Sequence, residues 1–479
     1  MKSYISYILV LFLSVEVFGQ GGGSIGVSDA RSSAMGNTSV ESTFGLYALG
    51  NNPANLYWNS SKKVELIVPI PLPKISASAR TNFMTIDEYN YFFGYKTKDE
   101  NGKDVGRTLN DADKERLKNL FTDGGAVTSD ASVQLFAIAI RPNDSFGTFA
   151  FSINDVISSN ATFPKGIIDI GLDGNAINRV YNFNDTKAKA WWLRKYSLSY
   201  ARSLNILPVF KQISVGISLN IISGYAYAGL DHINTELKTG EGNVITGKGN
   251  FLAHSAFSPD FNVKYDFDSL YQKKDFNFSL FPKPAGSGLG IDLGVSAKLN
   301  DAWSFGLAIT DIGSVKWNKN VAEYYSNKAI FLDDISNKDQ VDSLEKALTG
   351  KNSGKYINEL STPLATALRF GIALQLDEML DGNFPGQMLV AFDYNQGFNE
   401  QPGNSKKPRF SVGTDWMLGV FALRTGFSLG GFEKFNWGMG IGFVFGILDL
   451  NIGTPSMETV VAPNSSKRVT VAIDSRWKF

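Results

Sequence analysis

The sequence predicts an all-β fold: a closed antiparallel β-barrel that crosses a membrane with about fourteen strands. Three observations predict it. The chain begins with an apolar leader, its C-terminal third alternates bulky apolar residues with small or polar ones, and its last strand ends on Phe479. Aromatic residues make up 13% of the 479 residues, so the chain has ample apolar groups to bury and is not disordered for lack of them.

Composition excludes several function classes. The chain has 46 basic and 46 acidic residues, so no net positive charge is available to bind nucleic acid. It has no cysteine, which excludes disulfides, thiolate metal sites and a cysteine nucleophile. Phosphate-binding glycine loops and metalloprotease motifs are also absent from the sequence. We therefore expect no cofactor, no metal and no nucleic-acid partner.

Residues 1–20 have the features of a secretory signal peptide. Lys2 supplies a positive start, Ile5–Leu13 is apolar, and Val17–Gly19 resembles a cleavage site. The alternative, a buried N-terminal helix or strand, is less compatible with the three glycines that follow at 21–23. Beyond the leader, no stretch approaches the roughly 18 to 20 apolar residues that a spanning helix requires. We expect an exported protein that crosses a membrane, if at all, with strands.

Strand predictions follow from residues that alternate between two faces with a period of two. In the C-terminal part the pattern is nearly continuous and predicts strands at Leu364–Gln375, Met388–Asn395, Arg409–Trp416, Phe421–Leu429, Phe435–Phe445, Leu448–Ile452 and Val469–Phe479. Further upstream it predicts seven more, at Leu66–Ile70, Phe136–Ile140, Phe149–Ile153, Trp192–Tyr200, Ile213–Leu219, Leu289–Val295 and Trp303–Ile309. An even count of fourteen is typical of a closed membrane barrel.

Alternation alone would also fit a soluble sandwich of two sheets. The links between strands favour a barrel, since the turns at Asn300-Asp301 and Leu418-Gly419 are short whereas the link 318–360 is long. The last strand carries Trp477 and Phe479, and a strand that ends on an aromatic residue resembles the signal by which outer-membrane barrels engage their assembly machinery. Closure by this strand would also remove a free sheet edge. A secreted soluble β protein remains the alternative.

Nine charged residues fall on the small-residue face of the predicted strands. An Arg or Lys on the lipid face at the bilayer midplane costs about 2 to 4 kcal/mol, so this face is expected to line the lumen. We expect the set to form an ion-pair network that fills the pore and holds the N-terminal segment, with a substrate track as the alternative. The predicted lumen-lining residues are Asp292, Arg369, Asp393, Arg409, Asp415, Arg424, Asp449, Asp474 and Arg476.

The loops contain two predicted helices and one ambiguous stretch. Leu109–Phe121 and Asp333–Leu348 have helical spacing of apolar residues, and each could cover the mouth of the barrel or simply fold over its rim. Residues 230–286 form either one long loop or two additional strands, at Phe251–Tyr265 and Asp275–Phe281, which would make sixteen.

Enzymatic and calcium-binding motifs are weak. The two histidines are His232 and His254, and the neighbouring Ser255 would point to the opposite face of a strand from His254. The segment Asp169–Gly174 imitates the start of a calcium loop, but Val180 stands where the bidentate glutamate belongs. We expect neither catalysis nor metal binding.

Residues 21–61 are small, rich in turns and do not alternate. The segment is built around Ala34-Met35-Gly36 and continues to Asn52-Pro53-Ala54 before the first strand. In this it resembles the N-terminal hatch of FadL-type outer-membrane transporters and of the related PorV-like proteins of Bacteroidetes. Asp292-Leu293-Gly294 and Asp311-Ile312-Gly313 also resemble that group. The layout is most similar to an uncharacterised Bacteroidetes branch of the superfamily.

The resemblance implies a hatch at 21–61 inside a barrel at 62–479, with Asn52, Pro53 and Ala54 in or beneath the lumen; an ordinary turn there is the alternative. It implies an outer-membrane protein of a Gram-negative bacterium that passes a hydrophobic or amphipathic small molecule through a plugged lumen. The alternative is a PorV-like, non-transporting accessory or anchoring subunit of a surface or secretion complex. Implied partners are outer-membrane lipid and the barrel-assembly machinery.

Overall fold

A computed structural model describes residues 28–57, 62–94, 96–98, 102–143, 145–174, 176–204, 207–263, 265, 267, 277–334, 336–350, 353–380, 384–431 and 434–479. The predicted signal peptide, residues 1–20, lies outside the described residues, as do 21–27 and 58–61 of the predicted hatch.

The described residues form 23 strands, of which 21 belong to one continuous antiparallel sheet. In chain order they are β1 Val64–Ile67, β2 Lys74–Thr81, β3 Lys96–Lys98, β4 Asp104–Gly106, β5 Gly125–Ile140, β6 Thr148–Phe163, β7 Val180–Asn182, β8 Lys187–Leu204, β9 Gln212–Ile233, β10 Glu236–Thr239, β11 Ile245–Phe257, β12 Gly286–Lys298, β13 Trp303–Trp317, β14 Val321–Leu332, β15 Lys355–Tyr356, β16 Leu360–Pro363, β17 Ala367–Gln375, β18 Gln387–Gly397, β19 Arg409–Leu418, β20 Phe421–Gly430, β21 Lys434–Phe445, β22 Leu448–Thr454 and β23 Arg468–Lys478.

The sheet closes on itself as a barrel of fourteen wall strands. β1 and β2 together form the first wall strand, because both pair with β5 on one side and with β23 on the other. β16 and β17 share one wall position in the same way, since both pair with β13. The remaining wall strands follow as β5, β6, β8, β9, β12, β13, β18, β19, β20, β21, β22 and β23. The prediction of a closed antiparallel barrel of about fourteen strands is confirmed.

The alternative of sixteen strands is wrong. β11 pairs with β9 between Ala226 and Ile233, and β12 pairs with β9 between Gln212 and Gly224. The two strands are therefore two halves of one wall strand. β9 changes its partner strand between two adjacent residues, because Ser258 N donates to Tyr225 O at 2.7 Å and Ala285 N donates to Gly224 O at 2.8 Å. Residues 277–281 are not a strand, and Asp275 and Phe276 lie outside the described residues. The second alternative, one long loop over 230–286, is wrong too.

The first wall strand is interrupted where the sequence predicts it to run on. The predicted strand Leu66–Ile70 ends at Ile67, and pairing resumes at Lys74. Between them Pro69, Pro71 and Pro73 have no backbone N–H to donate to a ladder, which explains the break.

Bulky side chains cover the outside of the barrel, and small ones face inward. Phe421 is 55% exposed and Trp437 43%, whereas Gly426 and Ser428 on the same sheet face the interior. In a soluble sandwich these rings would be buried in a second layer. The exposed apolar side chains instead form a belt around the wall, as a membrane-spanning barrel requires.

Short helices lie in the connections: α1 Ala30–Ala34, α2 Ile86–Tyr89, α3 Asp111–Leu120, α4 Lys165–Asp173, α5 Lys338–Thr349, α6 Leu376–Met379 and α7 Glu458–Val461. α3 and α5 occupy the two regions predicted to be helical. Asn110 is the N-cap residue of α3, and its side chain accepts a hydrogen bond from Asp113 N in a reciprocal capping box. Among the described residues, no helix combines the length and the apolar character needed to cross a membrane.

The N-terminal segment, residues 28–57, lies inside the barrel. It consists of α1 and two 3₁₀ turns, Gly45–Ala48 and Pro53–Leu56, and nearly all of its side chains are buried. A rung of glycines on the inner wall, Gly413, Gly426 and Gly438, lets its backbone approach closely. A Cβ on Gly426 would lie 2.2 Å from the carbonyl carbon of Met35. The lumen is therefore filled by the chain's own N-terminal segment.

Candidate functional site

Asn52, Pro53 and Ala54 lie against the inner wall. Asn52 Oδ1 accepts a hydrogen bond from Ala54 N at 3.2 Å, which caps the 3₁₀ turn that Pro53 begins. The amide nitrogen of Asn52 donates to Val295 O on β12 at 3.3 Å. On the neighbouring strand β9, Gly216 leaves room for the Pro53 carbonyl, because a Cβ there would lie 2.3 Å from it. The tripeptide is thus a contact between the N-terminal segment and the wall.

Three of the charges predicted to line the lumen bind residues between positions 31 and 40 of the N-terminal segment. Asp393 accepts hydrogen bonds from the backbone N–H groups of Ser39 (2.6 Å) and Val40 (3.0 Å). Arg409 donates to the Asn37 carbonyl at 3.4 Å. Asp415 pairs with Arg31 Nε at 2.6 Å.

Two more of these charges bind the segment at Ala30, Phe44 and Tyr47. Asp474 accepts from Ala30 N at 2.8 Å and from the Tyr47 hydroxyl at 2.5 Å. Arg476 donates to the Phe44 carbonyl at 2.9 Å. Both residues lie on β23, the strand that closes the barrel. The same strand therefore closes the wall and binds the N-terminal segment.

The other four predicted charges bind wall residues. Asp292 accepts from Asn220 at 3.1 Å and from the backbone N–H of Asp311. Arg369 donates to Thr310 and Asn395, and Arg424 pairs with Asp415 and donates to Asn451. Asp449 pairs with Arg476 and Lys478. Neighbouring strands in register bring these charges and their partners together on the inner surface of the wall.

The C-terminal aromatic residues lie where the barrel closes. Phe479 N donates to Val64 O at 2.8 Å, and Trp477 Nε1 donates to Ile70 O at 2.8 Å across the interruption of the first wall strand. Their role as an assembly signal stays a prediction.

Sequence reasoning missed the segment's own charged anchors. Glu41 is fully buried and accepts hydrogen bonds from Asn52 and Asn55 on one carboxylate oxygen and from Ser296 Oγ on the other. Arg31 was missed as well. A usable signal was present at Asp29, whose side chain caps α1 by accepting from Ser32 N, a pattern that marks an ordered helix start.

The buried Glu41 gives the protein a testable pH dependence. Burial, with a smaller contribution from Asp393, raises the pKa of Glu41 from 4.5 to about 8, although the hydrogen bonds from Ser296 and Asn55 oppose the shift. Because the folded state favours the protonated form, the Glu41 contribution to the free energy of unfolding is greatest below pH 4.5 and falls as the pH rises toward 8. We expect Glu41→Gln to remove this slope, measured as the pH dependence of thermal unfolding.

Glu378→Gln is the matched control for this measurement, because Glu378 is exposed. It should leave the slope unchanged. A slope that survives Glu41→Gln would assign the pH dependence to another group.

A small cavity of about 60 Å³ lies between the N-terminal segment and the wall. At about 10–15 Å³ for each water on this measure, it holds roughly five water molecules. Trp191, Leu193 and Leu364 give it an apolar side. The polar part of the lining consists of serine hydroxyls and of the ion pair between Lys195 and Asp311, whose charged atoms are 2.5 Å apart.

The Trp191 ring forms part of the cavity wall. Its ring is 3% exposed and lines the cavity, and its Nε1–H has no hydrogen-bond partner among the described residues. A buried N–H without an acceptor costs about 1–3 kcal/mol, so a water molecule or a ligand atom in the cavity would accept this bond.

The residues considered for catalysis are arranged differently from a hydrolase. His254 lies between Asp231 (2.5 Å from Nδ1) and Glu323 (3.2 Å from Nε2), whereas the Ser255 hydroxyl is 3.4 Å from Tyr265. Asp169 pairs with Arg179 rather than with a second carboxylate. Within the described parts of the chain, no group of three or more His, Asp or Glu side chains could hold a metal ion.

The fold and this interior define a transmembrane-type β-barrel whose lumen is occupied by its own N-terminal segment. The chain belongs to a family of unknown function, DUF5723, whose model matches residues 61–454. A search of curated proteins found no match.

Solved structures similar to this chain include three of low sequence identity. A deletion mutant of the monoaromatic hydrocarbon channel TodX is 14% identical, with a TM-score of 0.46 over 96% of this chain and 99% of that one. The Pseudomonas putida toluene transporter TodX is 13% identical, with a TM-score of 0.43 over 97% and 100%. A Pseudomonas aeruginosa FadL homologue is 11% identical, with a TM-score of 0.40 over 96% of each chain.

Proposed function

We propose that this protein is an outer-membrane barrel of a Gram-negative bacterium that passes a hydrophobic or amphipathic small molecule, with residues 28–57 acting as a hatch. The observation that carries the proposal is the cavity between segment and wall. It is lined by paired charges, by serine hydroxyls and by the Trp191 ring, whose N–H has no acceptor in the part of the chain that the structure describes. An apolar surface with a few fixed polar groups is the usual composition of a small-molecule site.

The size of the cavity implies that the hatch must move. A volume of about 60 Å³ is smaller than the several hundred Å³ of a typical ligand pocket, so the structure represents a closed state. Movement requires the breaking of individual hydrogen bonds and ion pairs between the segment and the wall, while the chain stays joined to the wall at the segment's C-terminal end. The resemblance of its Ala34-Met35-Gly36 and Asn52-Pro53-Ala54 motifs to FadL-type hatches supports the same role.

Filling the cavity tests the proposal. Ala365 lines the cavity, and Ala365→Trp should occupy it; uptake of the neutral dye N-phenyl-1-naphthylamine by cells that produce the protein should then fall severalfold. Val412→Trp is the matched control, since Val412 is 45% exposed on the outer belt and should tolerate the same ring without loss of uptake. Uptake by wild-type cells that equals uptake by cells lacking the protein would contradict passage.

A second candidate is a PorV-like accessory or anchoring subunit of a surface or secretion complex. The nearly filled lumen favours it, because a barrel that anchors a partner needs no pathway. Analysis of the detergent-purified protein separates the two: an acyl or aromatic ligand in the lipid extract supports passage, whereas a stable protein partner on pull-down supports the accessory role.

A further inference from the structure

One ion pair faces out of the barrel rather than into it. Leu193 and Lys195 line the interior cavity, so Arg194 between them points to the opposite face of β8. There it pairs with Asp155, with Nε to Oδ1 at 2.6 Å and a second bond at 2.8 Å. Arg194 is nevertheless only 2% exposed. Something on the outside of the wall must cover it.

The cover is the wall insertion, residues 258–285, which leaves the sheet between β11 and β12. Its described residues are 258–263, 265, 267 and 277–285. Arg194 donates to the Leu280 carbonyl at 2.8 Å and lies 4.8 Å from the Phe281 ring centroid. Trp192 stacks on Phe261 (5.8 Å) and on Phe278 (6.0 Å), both nearly parallel to it. The insertion is therefore fastened to the outer wall.

The insertion sits at a defined height on the wall. β9 runs eleven residues, from Gln212 to Ile222, before reaching the rung that holds Arg194, Ser223 and Ser287. A tilted strand crosses the hydrocarbon core in about 9–11 residues, so that rung lies at the edge of the core. Directly below it, Ile221 and Leu289 are 61% and 69% exposed and belong to the apolar belt.

The outer surface of the insertion continues that belt. Phe278, Leu280 and Phe281 are 63%, 65% and 74% exposed. Trp192 contacts the Phe278 ring, and Arg194 contacts the Leu280 carbonyl and the Phe281 ring. Exposed aromatic residues in this position are typical of the membrane–water interface of barrels.

We propose that residues 277–285 anchor the barrel in the lipid leaflet at this edge, with Phe278, Leu280 and Phe281 among the acyl chains. The inference rests on the proposed membrane location of the barrel. The insertion shields the Arg194–Asp155 pair from lipid, and its apolar side chains fix the height of the wall in the bilayer.

The absence of cysteine from the sequence makes site-specific labelling clean. Three single-cysteine variants are labelled with a nitroxide and reconstituted in phosphatidylcholine vesicles. They are Phe281→Cys, Leu289→Cys on the belt and Lys338→Cys at the exposed start of α5. Collisions with oxygen, which partitions into lipid, are compared with collisions with a water-soluble nickel chelate. We expect the Phe281 label to resemble the Leu289 label, with frequent oxygen collisions and a severalfold loss of chelate collisions.

Other outcomes overturn the proposal and are distinguishable. If the Phe281 label is as accessible to the chelate as the Lys338 label, the insertion lies in water, although the Leu289 label still places the belt in lipid. A label shielded from both reagents would mean that protein, such as a second copy of this chain, covers it. If the Leu289 label is also in water, the membrane location itself fails. Leu280→Cys provides an independent reporter if Phe281→Cys does not fold.

Discussion

Gly426→Val should unseat the N-terminal segment and destabilise the barrel by about 3 kcal/mol or more. Gly426 pairs with Gly413 and Gly438 in the inner glycine rung. A Cβ there would lie 2.2 Å from the Met35 carbonyl carbon and 2.7 Å from Gly36 N, and these backbone atoms cannot turn aside as a side chain could. The measurement is the thermal midpoint of the shift between the folded and unfolded bands in gel electrophoresis.

Gly446→Val is the matched control for this prediction. Gly446 lies in the turn between β21 and β22, and nothing within 4 Å would meet a Cβ. It should leave the midpoint nearly unchanged. The displacement itself is detected with Ala34→Cys, since Ala34 is fully buried and its thiol should react with a water-soluble maleimide only in the Gly426→Val background. Equal protection in both backgrounds would contradict the steric argument.

Asp393→Ala should cost about 3–5 kcal/mol of the free energy of unfolding. Asp393 is fully buried and accepts the backbone N–H groups of Ser39 and Val40, which would be left without an acceptor. The fully buried Arg369 and Arg409 would also lose the negative charge of Asp393. The expected result is a lower midpoint of urea unfolding from vesicles.

Asp393→Asn separates the two contributions, because it keeps an acceptor oxygen for the backbone and removes the charge. The free energy of unfolding of the asparagine variant should fall between those of the wild type and the alanine variant. Asp334→Ala, at an exposed loop carboxylate, should have little effect. An alanine variant as stable as the wild type would show that Asp393 does not hold the segment.

The candidate site was partly predictable. The sequence assigns Asp393 and Arg409 to the lumen because a charge on the lipid face is costly, and in the structure they contact Ser39 and Asn37 of the N-terminal segment. The same rule could not find Arg194 and Asp155, whose outward position is stable because an insertion far along the chain covers them. Glu41 lies in a segment without periodicity, so no pattern indicated that it would meet Ser296 across 255 positions of sequence.

The sequence by itself determined the barrel wall, because a period of two assigns each side chain to one face and the cost of burying charge in lipid decides which face is which. Only the tertiary structure decided which wall residues the N-terminal segment contacts, where the first strand breaks, and that β11 and β12 share one wall position. Those features depend on contacts between residues distant in the chain, and local patterning carries no information about such partners.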